Sequence, residues 1–168
     1  MDTLALLTRS FEDLHQSLEP ELWSMDDDDY WWQPGPAISH AGFIAWHIVR
    51  DEDDVISHLA GKPQLWLADG WHGRFGLPAE GQGTGFDPAR LETLRYDRGL
   101  LRAYAQAVWA GTATALASLA PSRLAEPAWP ESEWDGGRLL TEGCLCHAWA
   151  HLGEIRVIRG LRGWRAAE

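Results

Sequence analysis

With 168 residues, 45% of them hydrophobic, the chain has the length and apolar content of one domain around one core, spanning 1–168. Asp and Glu outnumber Lys and Arg by 25 to 14, and the resulting net charge of −11 opposes nucleic acid and anionic bilayers, so neither is expected as a partner. The acidic start MDTLALLTRSFEDLHQ makes a poor signal or transit peptide, and no run of about 18 apolar residues is present to span a membrane. Cys144 and Cys146 lie too close together to frame a secreted disulfide fold, which leaves a cytoplasmic location as the default.

Leu4, Leu7, Phe11, Leu14 and Leu18 recur at helical spacing, and Pro20 is expected to close this first helix. DDDDYWWQPGPA then reads as a loop whose four acids repel one another while its aromatics fold back on the body. Ser39 is the expected cap of a second helix, HAGFIAWHIVRDEDDVISHLAG, that stops at Gly61. One of its stripes holds Phe43, Ile44, His47, Asp51, Val55 and His58, and the polar members of a core-facing stripe need partners. The Gly- and Trp-rich stretch 62–86 is too long for a plain bundle connection and reads as a binding loop or short lid. The chain has 11 tryptophans, enough for several to line a pocket.

Asp87 and Pro88 resemble a cap and first-turn proline for a long helix from about Ala89 to Leu119. Pro121, Pro127 and Pro130 make 121–138 a loop, with Trp129 and Trp134 expected to fold onto the body. A last helix runs from about Leu139 to Ile158, ahead of the basic tail RGLRGW. The expected fold class is all-α: a four-helix bundle with long crossover connections and no strands.

Chemistry concentrates in the histidines. At about 100° per residue, His147 and His151 project from one face, with Leu140, Cys144, Glu154, Ile155 and Ile158 within roughly 80° of them. His47, mid-way along the second helix, shares a face with Ile44 and Asp51. Three imidazoles from two helices can bind one divalent cation of zinc, nickel or iron type and leave a position for water or substrate. Taken alone, H-x-x-x-H is weak evidence; in the plainer alternative His47 bonds a backbone carbonyl or Asp51 and the other pair lines a wet groove. Asp51 is a candidate to orient an imidazole or take the metal edge, with a surface acid as the alternative. Glu154 is a candidate outer acceptor or weak base, and the two acids are the candidates for proton transfer. Cys146 points about 160° away from Cys144, which disfavours a Cys2His2 zinc site. His40 and His58 read as capping or surface groups, His15 has no assigned role, and His72 lies in the aromatic connection.

The stretches IAWHIVRDED, DGWHGRFGLP, GTGF and HAWAHLGEIRVIRGLRG together resemble the DinB-like superfamily, over nearly the whole chain. The resemblance implies a helical bundle holding a metal through three histidines, matched here by His47, His147 and His151. It also implies a thiol-dependent transferase that joins mycothiol, bacillithiol or glutathione to a small electrophile. Isomerisation of a small unsaturated acid, or metal binding without turnover, are the alternatives it leaves. In the transferase reading Trp66, Trp71 and Phe75 supply apolar surface and Arg74 pairs with a carboxylate of the thiol or substrate. A homodimer is left open.

Overall fold

Asp2 starts the first element by accepting the Ala5 N–H at 2.7 Å, which satisfies one of the free donors at a helix start. In this computed structural model, which describes residues 2–36, 38–85 and 93–164, helix α1 runs Thr3–Trp23 and buries Leu7, Phe11, Leu14, Leu18 and Leu22. Pro20, expected to close the helix, lies inside it. The last turn is held from outside: Arg159 donates to the Pro20 and Glu21 carbonyls, each at 3.0 Å, and ion-pairs with Glu21 at 2.9 Å.

Asp26–Asp29 are also not the bare loop expected. Asp26 accepts the Asp29 N–H at 2.8 Å and caps a short helix α2, Asp27–Tyr30, because carboxylates at a helix N-terminus meet free N–H groups and the positive end of the dipole. Tyr30 and the Trp31 ring fold back onto the body, as expected.

Helix α3, Ala41–Ala60, is capped by His40 rather than Ser39: His40 Nδ1 accepts the Phe43 N–H at 2.9 Å. Gly61 ends it with φ 64, a left-handed conformation that glycine adopts without steric cost. Other elements pack around α3 on every side, so Arg50, Glu52 and Asp53 are buried along with its apolar residues. Each is partnered, as burial requires. Glu52 accepts from Thr112 at 2.5 Å and pairs with His15 at 3.0 Å; Asp53 accepts the Leu65 and Trp66 N–H groups and the Tyr104 hydroxyl. Arg50 donates to Gln64 at 3.0 Å.

The connection after α3 contains two short helices, α4 (Leu65–Ala68) and α5 (Trp71–Phe75), and then returns across α3. Its carbonyls meet α3 side chains: Gly81 O accepts from Arg50 and Gln82 O from His47. The long helix expected from Ala89 begins at Arg98, as α6, Arg98–Ser118. Leu94–Asp97 are not helical, because the Tyr96 hydroxyl bonds the Gly42 carbonyl, Leu94 is buried, and Asp97 caps α6 by accepting the Leu100 N–H at 2.6 Å. The expected cap at Asp87 and Pro88 falls outside the described residues.

Among the described residues, the only β pairing outside the helices is an isolated antiparallel bridge between Pro127 and Asp135. Asp135 then caps the last helical stretch, which runs without a break through α7 (Gly136–Arg138), a π-helical segment Leu139–Cys146 and α8 (His147–Leu161). It begins and ends a few residues outside the expected 139–158. Trp134 packs on this stretch, whereas Trp129, expected to fold on the body, stays 47% exposed. The architecture is the expected all-α bundle of four long helices, and its buried residues form one continuous cluster. Among the described residues no helix is long and apolar enough to cross a membrane.

Candidate metal centre

The buried middle of α3 and the first turn of α8 meet, and the three histidines meet there. His47 Nε2 lies 3.3 Å from His147 Nε2, and His151 Nε2 lies 2.9 Å from the same atom. One ligand atom from each ring falls within 4.8 Å of the others. His147 and His151 are four positions apart, about one turn of α8, and their rings sit 4.5 Å apart between centroids. The π-helical segment feeds directly into His147, turning Leu140 and Cys144 into the core and leaving His147 and His151 half-buried at its edge.

What lies behind each ring decides what can lie in front. His47 Nδ1 is 2.6 Å from Gln82 O, His147 Nδ1 is 3.2 Å from Asp51 Oδ2, and His151 Nδ1 is 2.7 Å from Glu154 Oε2. A carbonyl and two carboxylates accept, so each Nδ1 is placed to donate and each ring turns its Nε2 inward. The two inward distances are short enough for hydrogen bonds, so without a metal a proton on His147 can be shared there. Lone pairs at that separation repel unless a cation stands among them. Tetrahedral zinc–imidazole bonds place their nitrogens about 3.3 Å apart, so the donor set fits a divalent ion with little movement.

The surroundings favour the same occupant. Burial lowers the His47 pKa against the opposing effect of the Gln82 carbonyl, which keeps the ring neutral and ready to ligate. His147 moves the other way, raised first by its hydrogen bond to Asp51, so a metal entering here displaces a more firmly held proton. The two acids are placed unequally: the Asp51 side chain is 12% exposed and the Glu154 side chain 57%. Asp51 serves His147 rather than its own helix neighbour His47. Asp51 and Glu154 each stand behind a different histidine, His147 and His151.

The aromatic connection holds a different position from the one expected. Trp66, Trp71 and Phe75 are buried and gather around Tyr104, with centroids 5.5, 5.2 and 6.0 Å from its ring. Their surface is used in the core, so they offer no open wall to a ligand at the histidines. Arg74 is exposed and stacks its guanidinium 3.8 Å above Trp71. Three of the other four histidines are structural: His40 caps α3, His58 bonds the Ala128 carbonyl, and His15 stacks on Trp109 while pairing with Glu52. Gln82 is the functional position that sequence reasoning missed. Its backbone carbonyl does the work, and no side-chain pattern marks a carbonyl.

The sequence pattern of the DinB superfamily matches residues 10–155. This chain belongs to the DinB superfamily. The crystal structure of a conserved protein from Enterococcus faecalis superposes on it with a TM-score of 0.81 at 23% identity, covering 96% of this chain and 97% of that one, which establishes the shared DinB-type fold. Curated protein sequences contain no match to it. The matched span of the DinB superfamily contains His47, His147 and His151 together with both acids behind them.

Proposed function

We propose that the protein holds one divalent metal ion through His47, His147 and His151 and joins a low-molecular-weight thiol, of the mycothiol or bacillithiol kind, to a small electrophile. The observation that carries this reading is three Nε2 atoms aimed at one point, with every Nδ1 proton held by an acceptor. An ion bound there would favour the anion of a thiol or water placed beside it. Burial keeps His47 neutral for that purpose. Asp51 and Glu154 act as positioning residues that hold the His147 and His151 rings in register. Glu154, the more exposed acid, is the better placed to hand a released proton to solvent. His147 and His151 are only half-buried, so the reactant approaches from their side. The reduced thiol pool that such a reaction draws on suits a cytoplasmic setting.

The test is conjugation of 1-chloro-2,4-dinitrobenzene by metal-loaded protein with each thiol in turn, beside a His47→Ala variant. Acceleration with at least one thiol, lost in the variant, is the expected result. No acceleration with any thiol moves the protein to metal binding without turnover. Consumption of substrate with the thiol omitted marks a hydrolase, and a thiol recovered unchanged beside an isomerised acid marks an isomerase.

A further inference from the structure

An open groove of about 680 Å³ runs along α8 away from the metal centre, walled by Ile38, Ile44, Val157 and Leu161 and reached at one end by His151 and Glu154. That volume is in the range of small-molecule sites. A second groove of about 300 Å³, between α3 and α6, has none of the three histidines on its wall. Ile38, Val157 and Leu161 are 51%, 62% and 63% exposed, which leaves apolar surface uncovered beside a reactive site.

Gly153 lies on the floor of this groove, between His151 and Glu154 in sequence. A glycine inside a helix weakens it relative to alanine. Packing does not require one here: a Cβ added at Gly153 meets nothing within 4 Å. The space it leaves is the groove itself. The lining also has a sign. Among the described residues no Lys or Arg contributes to it, and its acidic member is the Glu154 carboxylate. The nearby arginines of α8 are already engaged, Arg156 and Arg159 with Glu21 and Arg162 with Asp29.

We infer that this groove seats the body of the electrophile and selects an uncharged hydrocarbon chain or ring over one bearing a carboxylate, with Gly153 and Val157 setting that choice. The inference rests on the transferase reading for the word electrophile, while the groove's preference stands on its lining. It disfavours substrates that carry a carboxylate on the groove-seated end, away from the ion, because there that group would be desolvated beside Glu154 with no described Lys or Arg to meet it.

The test is titration of isotope-labelled protein with 1-octanol and with octanoate, in the metal-free form so that no ion draws the carboxylate to His151, followed by amide shifts in NMR. Octanol should shift Ile38, Ile44, Gly153 and Leu161 saturably, and octanoate should bind at least tenfold more weakly. Gly153→Leu should weaken octanol at least tenfold with its capacity to load metal unchanged, while Gly160→Leu, a change at a helical glycine off the groove, should not. Val157→Lys, at an exposed position that folding tolerates, should bring octanoate to within a few-fold of octanol. Octanoate binding as tightly as octanol to the parent protein, octanol shifts elsewhere, or a groove closed by a second copy in sedimentation would overturn the assignment. Octanol binding without conjugation of any electrophile would sink the transferase reading and leave the groove standing; conjugation of alkyl electrophiles indifferent to Gly153→Leu would overturn the groove alone.

Discussion

Replacing Asp51 by asparagine tests how much of the metal affinity resides behind the ligands. The change is nearly isosteric and keeps an oxygen that can accept the His147 N–H, but it removes a charge whose oxygen sits 3.2 Å from Nδ1. Across the imidazole that charge lies about 6.5 Å from an ion on Nε2, where an effective dielectric of 20 gives about 2.5 kcal/mol per unit charge. Outer partners of this kind usually change affinity by about 10–100-fold, or about 1.4–2.7 kcal/mol. The expected loss for Asp51→Asn is therefore about 30-fold. Glu154 is a contrast because its side chain is 57% exposed. With water around it, the same separation is worth about 0.6 kcal/mol per unit charge, about 1.3 kcal/mol for a divalent ion, so Glu154→Gln should lose less than about tenfold. Competition against a chromogenic zinc chelator near neutral pH reads both, with circular dichroism to confirm that each variant folds. If Asp51→Asn binds zinc within threefold of the parent, or if the two variants lose equally, the reasoning from burial fails.

Gly83 has φ +100, and a Cβ there would stand 2.8 Å from both Phe43 and Trp46. Gly83→Ala should cost about 1–3 kcal/mol of stability, and it should also weaken metal binding by displacing the Gln82 carbonyl behind His47; urea unfolding and the chelator titration check the two effects. In the metal-free protein His47, with its pKa lowered by burial, contributes stability that is present above 6.5 and is lost as pH falls through its folded value. His147, raised by Asp51, contributes stability that is full below 6.5 and is lost as pH rises through its folded value. His47→Gln should remove the first of these, so thermal melts of the metal-free variant should show less loss on the acid side of 6.5 than the parent. Cys144 is buried with its thiol pKa pushed up by that burial and then by Glu52 and Asp51, whereas Cys146 is exposed. Iodoacetamide followed by peptide mass analysis should find Cys146 alkylated in the native protein and Cys144 only after unfolding.

Periodicity alone was enough to place α1, α3 and the last helix, because an apolar stripe at helical spacing has to face a core. Gly61 was legible as a stop because a left-handed residue after a helix favours glycine. The same local rules failed where a distant group intervened. Pro20 stays inside α1, whose last turn Arg159 holds from far along the chain, and Asp97 starts α6 where Tyr96 is already committed to Gly42.

The candidate centre divides in the same way. Spacing on one helix put His147 and His151 on a common face, since that is a property of local geometry. The amino-acid sequence could not say that Asp51 stands behind His147 instead of His47, or that the Gln82 carbonyl fixes the tautomer of His47. Trp66, Trp71 and Phe75, which the family resemblance implied as a ligand surface, are core by position. Covalent neighbours set which way a side chain leaves its own helix; what it meets there depends on how separate helices dock, and that is fixed only when the whole core closes.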